Sequence, residues 1–283
     1  MAKSTRTAAK QRAREQREAQ ARKERQRTQL VAAGVGVVVI VIAVSIGIVI
    51  ANRPVPAPVG GSGAAALTKL MAIPATTLDK ATVPTAQQIP VKLAGAAARK
   101  TDGKPVVLYV GAEFCPYCAV ERWALIGALS RFGTFSGLSE TTSSSTDALP
   151  DTPTFSFVKS SFTSDHVVFK AVETQDRENK PLQKLEGDDA ALVQKYNPKG
   201  TIPWINYGGT HATNGPTVDS NAFEGKTYDQ IMAAILDPTS PIGKSVGPAI
   251  NVMTAQICQQ NGGQPSAVCT APGVKAASAV LAK

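Results

Sequence analysis

The chain has 283 residues, 43% of them hydrophobic, with four cysteines and a formal net charge of +9. That length holds one large domain with appendages and makes two domains of ordinary size a tight fit. The charge does not mark a nucleic-acid-binding domain, because residues 1–29 carry ten Lys or Arg against three Glu, leaving about +2 for everything else.

The basic stretch, residues 3–27, is rich in Arg, Gln, Ala and Glu and has no apolar face wide enough to fold on a core. A nucleic-acid-binding arm is one reading of it, but the next stretch argues against that. Residues 30–51 are 22 positions without a charge, and at ~1.5 Å per residue they cross a ~30 Å hydrocarbon layer as a helix. A cleavable signal peptide competes with this reading, but its apolar core runs ~7–15 residues, so an uncleaved anchor is expected. Lys and Arg concentrate on the cytoplasmic side of a span, which keeps the tail in the cytosol and exports everything after residue 51. Residues 52–66, full of Pro, Gly and Ala, read as a tether. The expected organisation is a cytoplasmic tail (1–29), a single transmembrane helix (30–51), a linker (52–66) and an extracytoplasmic domain (67–283) with a C-terminal extension from about residue 240.

Prolines 74, 84 and 90 allow only short helices or turns over 67–104. A strand follows at 106–112 and a helix at 116–131, and between them stands Cys115-Pro116-Tyr117-Cys118. Two cysteines at this spacing in the first turn of a helix come within disulfide reach, so the pair can open and close. The free N–H groups and positive dipole end of that turn favour the thiolate of the outer sulfur. Cys115 is then the nucleophile, expected to be exposed, and Cys118 the resolving partner. Half a zinc site and an inert structural disulfide are the competing readings. The other candidate ligands (His166, His211, Cys258, Cys269) are scattered, so no metal is expected. Haem attachment is excluded, since Ala119 and not His follows the second cysteine.

Further strands are expected near 137–143, at 155–158 and at 167–172, with a short helix over 188–196. Pro203 opens an apolar strand, 203–207, that ends at Gly208-Gly209, and a polar loop runs on to residue 221. Thr227 caps a helix whose apolar residues Tyr228, Ile231, Met232, Ile235 and Leu236 share one face, and Pro238 stops it. A last helical stretch covers about 246–260. In an exported domain Cys258 and Cys269 are expected to form a structural disulfide, worth about 3 kcal/mol by loop entropy. A second redox pair relaying electrons to Cys115 is the alternative.

The cysteine pair and the β-branched residues before Pro203 together resemble the thioredoxin-like superfamily. The run 113–125, with Leu129-Ser130-Arg131-Phe132-Gly133 after it, is most similar to a group of prokaryotic thioredoxin-like proteins, the domain of unknown function 929. The resemblance implies an α/β fold, a central mixed sheet flanked by helices, here behind the transmembrane helix. It implies a cis-proline at Pro203 lying against the active disulfide, and Ile202 as the residue whose backbone pairs with an incoming peptide. Pro116 and Tyr117, between the cysteines, would meet the substrate as well. Glu121 resembles an acidic residue of the more distant DsbA-type oxidoreductases and would shuttle the Cys118 proton, against a plain solvated carboxylate. Tyr109 stands where thioredoxins carry a buried Asp, and a phenol is a poor proton acceptor at neutral pH.

The expected function is a membrane-anchored thiol–disulfide oxidoreductase, its catalytic residues Cys115, Cys118, Pro203 and Glu121, acting on exported cysteine-containing proteins. A membrane redox partner would reset it, since no nicotinamide or flavin motif is visible and no cofactor is expected. Its partners are those proteins and the bilayer, not nucleic acid. A non-catalytic scaffold of the cell envelope is the second reading.

Overall fold

The structure, a computed structural model, describes residues 63–282. The basic tail, the expected span at 30–51 and the linker up to residue 62 lie outside them. Among the described residues no helix is long and apolar enough to cross a membrane.

The first helix, α1 (Gly63–Met71), begins inside the stretch expected to be linker. Alanine is the best helix former, and Ala66 and Leu70, one turn apart, are fully buried against the domain. The Ala64 N–H is held by Glu140 Oε1 at 2.7 Å. The tether reading therefore fails for residues 63–66. Prolines keep the next elements short: α2 (Ala75–Leu78) and a single 3-10 turn, Ala86–Gln88, closed by a capping box between Thr85 and Gln88.

Strands β1 (Val91–Lys92), β2 (Lys100–Thr101) and β3 (Lys104–Gly111) lead to helix α3 (Pro116–Leu129). Two small two-stranded sheets lie off the main sheet: β4 (Thr134–Ser136) pairs with β7 (Ser161–Thr163), and β5 (Ser139–Thr142) with β6 (Pro153–Ser156). The strand expected near 137–143 is β5, and β4 before it was not anticipated. Gly137, at φ +73°, turns the chain between them, a conformation that costs an L side chain dearly.

Strand β8 (Val168–Glu173) returns parallel to β3, and α4 (Gly187–Tyr196) leads to β9 (Trp204–Tyr207). Strand β9 runs antiparallel to β3 on its other edge. Gly208-Gly209 then turns the chain into β10 (His211–Asn214), which pairs back on β9 inside the segment expected to be loop. Two glycines able to take positive φ are a hairpin signal, and the polar Thr213 and Asn214 hid the strand that follows. The sheet is mixed, in the order β1-β10-β9-β3-β8, with β2 hairpinned onto the start of β3.

Helices cover both faces of this sheet, which is why β3 is an unbroken apolar run and not an alternation. Val107, Tyr109, Ile205 and Tyr207 face the larger core, and Leu108, Val110 and Trp204 face a smaller one closed by Leu192, Val193 and Tyr196 of α4. In the larger core Trp123 of α3 stands edge-on to Phe155 at 5.0 Å, and its Nε1 donates to the Pro153 carbonyl at 2.9 Å.

Helix α5 (Tyr228–Leu236) starts at the expected cap, with Gln230 N donating to Thr227 Oγ1. Helix α6 (Pro241–Gln260) starts earlier than expected, with Pro241 at its first position and Ser240 accepting from the Gly243 N–H. It is not part of an extension. Ile242, Val246, Ile250, Val252, Met253 and Ile257 are all buried, and α6 packs between α3 and the last helix, α8 (Pro272–Leu281). Between them the short α7 (Ser266–Cys269) is tied to the end of α6 by the Cys258–Cys269 disulfide, with Cα atoms 5.7 Å apart.

Candidate active site

Strand β3 ends at Gly111, and four residues later Cys115 is the N-cap of α3. Its backbone is extended, and its sulfur accepts the Cys118 N–H at 3.3 Å, satisfying one of the free donors of the first turn. Pro116 occupies the first helical position, where its missing N–H costs nothing. Both cysteines are free thiols.

The expected exposure of Cys115 is not what the structure has. Cys115 keeps 4% of its surface and Cys118 none. Ala112, Phe114 and Ile202 pack around the two sulfurs, a cover that a reading of the helix end alone does not include. Tyr117, between the cysteines, is 40% exposed. It sits on the wall of a cleft of about 630 Å³ that Thr217, Val218 and Lys244 also line.

Ile202 is brought to the pair, with Pro203 next to it in the chain. The peptide bond between them is cis, Pro203 is buried, and Ile202 packs against the cysteine cluster. Asn197 fixes the approach to this loop, its side chain donating to the Thr201 carbonyl at 2.8 Å and accepting the Thr201 N–H at 3.1 Å.

Glu121 and Arg122 follow one turn after Cys118, and both are fully buried. Glu121 is no solvated carboxylate: it accepts the Thr217 N–H and hydroxyl, each at 2.8 Å, while burial pushes its carboxyl up to about 7. Arg122 turns to β8, where Nε and Nη2 form a fork on Glu173, both at 2.8 Å. Nη2 also donates to the Ala112 carbonyl at 2.9 Å, and the guanidinium lies 5.9 Å from the Tyr109 ring centroid. Burial raises the Tyr109 phenol well above its usual range, so it stays neutral.

The two thiols are pushed apart by these surroundings. A hydrogen bond from the Cys118 thiol lowers the Cys115 pKa, aided by Arg122 and opposed by burial. Burial raises Cys118 far above an ordinary thiol. The outer sulfur is therefore the one that ionises first.

Sequence reasoning missed Arg122, Glu173 and Thr217. The signal was present for the first: two adjacent charges inside an apolar helix demand internal partners. Cys258 and Cys269 are bonded to each other, and among the described residues no three His, Cys, Asp or Glu side chains converge as a metal site would need. Neither a curated protein nor a solved structure matches the chain. A family model described as Domain of unknown function (DUF929) matches residues 98–259, a span running from β2 through the cysteine pair and the Pro203 loop into the last turn of α6. With more than half of its length in that match, the chain belongs to the DUF929 family.

Proposed function

We propose that the chain is a membrane-anchored, extracytoplasmic thiol–disulfide oxidoreductase on a thioredoxin-like scaffold, acting on exported proteins through Cys115 and Cys118. The observation that carries this reading is the meeting of two distant segments: a lowered-pKa cysteine at a helix N-cap with its partner one turn inside, and the loop whose Ile202 packs on the cysteine cluster beside the cis-Pro203. An inert staple needs no such inequality between its sulfurs.

In the reducing direction the Cys115 thiolate attacks one sulfur of a substrate disulfide. A Cys115–substrate bond forms, and the electron pair of the broken bond leaves on the other substrate sulfur. Cys118 gives up its proton and attacks Cys115, closing the Cys115–Cys118 disulfide and releasing the substrate as a thiol. The oxidising direction is the reverse, and a membrane redox partner resets the pair. Glu121, near neutrality in its affinity for a proton, suits the relay for Cys118. Ile202 would pair with the substrate backbone beside the sulfurs, and Pro116 and the exposed Tyr117 ring would meet its side chains.

The burial of both sulfurs favours a second reading, a scaffold of the cell envelope whose cysteines never react. The two separate on one experiment. With the full chain in mild detergent, the Cys118→Ser variant should capture a cysteine-containing peptide disulfide as a stable adduct on Cys115. The wild type should turn over the same peptide in a dithiol buffer. No adduct and no exchange would leave the scaffold.

A further inference from the structure

Arg122 and Glu173 are an unusual investment for a domain interior. Both side chains are wholly buried, and replacing such a pair by apolar residues of similar volume is often neutral or stabilising. Stability therefore does not account for the pair, and its position suggests another role. Arg122 lies one turn beyond Cys118 on α3, and through the Ala112 carbonyl it holds the segment that leads into Cys115. That carbonyl also accepts the Cys115 N–H, at 3.3 Å, so one oxygen links the guanidinium to the nucleophile's own backbone. Fork and carbonyl use Nε and Nη2, and the Nη1 atom, equally buried, has no hydrogen-bond partner.

We propose that Arg122 is a positioning residue of the redox site, fixed by Glu173, that places a positive charge beside the sulfurs and sets how readily Cys115 ionises. This rests on the oxidoreductase reading but concerns the protein's own thiol, and so is measured without a substrate. The guanidinium outweighs its carboxylate partner at the sulfurs: its charge lowers both cysteines, and at Cys118 it acts more strongly than Glu173 does. The other titratable groups around the pair do not supply that charge. Tyr109, from β3, stays a neutral phenol, Glu113 is bound by the Ser156 hydroxyl, and Glu121 by Thr217.

The test is the pH dependence of Cys115 alkylation by iodoacetamide, in the reduced full chain. Arg122→Met alone strands the Glu173 carboxylate in the core and endangers folding. The double variant Arg122→Met, Glu173→Leu removes both charges together and avoids this. In it the alkylation midpoint should move up in pH, with the rate at pH 7 falling about tenfold if the midpoint rises by one. Arg122→Lys, which keeps the charge and loses the fork, should recover most of the wild-type midpoint. A double variant that unfolds at the wild-type urea concentration and keeps the wild-type midpoint would overturn the proposal, as would a lysine variant no better than methionine. If the wild type shows a low midpoint and the variants shift it, yet no peptide disulfide exchanges, it is the oxidoreductase reading that fails and not this one.

Discussion

Glu121→Gln isolates a group whose protonation should govern stability near neutral pH. The carboxyl is fully buried, receives two hydrogen bonds from Thr217 and titrates at about 7 where an ordinary one does so at 4.5. Between those two values the folded chain holds a proton that the unfolded chain has released. The stability this provides is complete below pH 4.5 and is lost as pH rises through 7. At about 1.4 kcal/mol per tenfold in proton affinity, the loss amounts to roughly 3 kcal/mol. Glutamine keeps the shape: its carbonyl accepts the Thr217 N–H, and the Thr217 hydroxyl rotates to accept from its amide. Urea unfolding of both full-length proteins at half-unit steps from pH 5 to 8 should show the wild type losing roughly 2–3 kcal/mol relative to the variant. Other titrating groups cancel in that difference. Parallel curves for the two proteins would refute a carboxyl that titrates near 7.

The remaining expectations concern the core, the disulfide and the thiols. Trp123→Ala empties a site between Phe155 and Tyr228 and strands the Pro153 carbonyl, so the urea midpoint should fall by an amount equivalent to about 3–5 kcal/mol. Replacing Cys258 and Cys269 together by serine opens a loop closed across 11 positions and should lower stability by about 2–3 kcal/mol in thermal unfolding, without changing the alkylation of Cys115. Limited iodoacetamide at pH 7 should label Cys115 before Cys118, since the outer thiol is lowered and the inner one raised; a peptide map with Cys118 labelled first would contradict the assigned order.

Much of the sheet was legible because β3 is apolar on both faces, β9 is so apart from Asn206, and both are bounded by Gly and Pro. The cysteine pair and Pro203 were legible because proline and cysteine have few roles at such places. What stayed hidden was set by contacts distant in sequence. Gly63 to Ala66 looked like spacer until Glu140 and a core surface gave the helix something to bury against. Strand β10 looked like loop, because its polar residues pair with β9 and not with a periodic pattern of their own. Cys115 looked exposed because Ile202, which helps to cover it, lies far along the chain. The partners of Glu121 and Arg122 stand on separate elements, Thr217 and Glu173, and no local pattern pairs them.

Every residue of α3 except Tyr117 is buried. A helix sheathed on all sides opens only when the whole domain opens, so its amides should be among the last to exchange in deuterated solvent. The inner sulfur is thus mounted on a helix that should yield little. Whatever give access to the pair demands must come from the loop that carries Ile202 onto it, whose amides should exchange sooner.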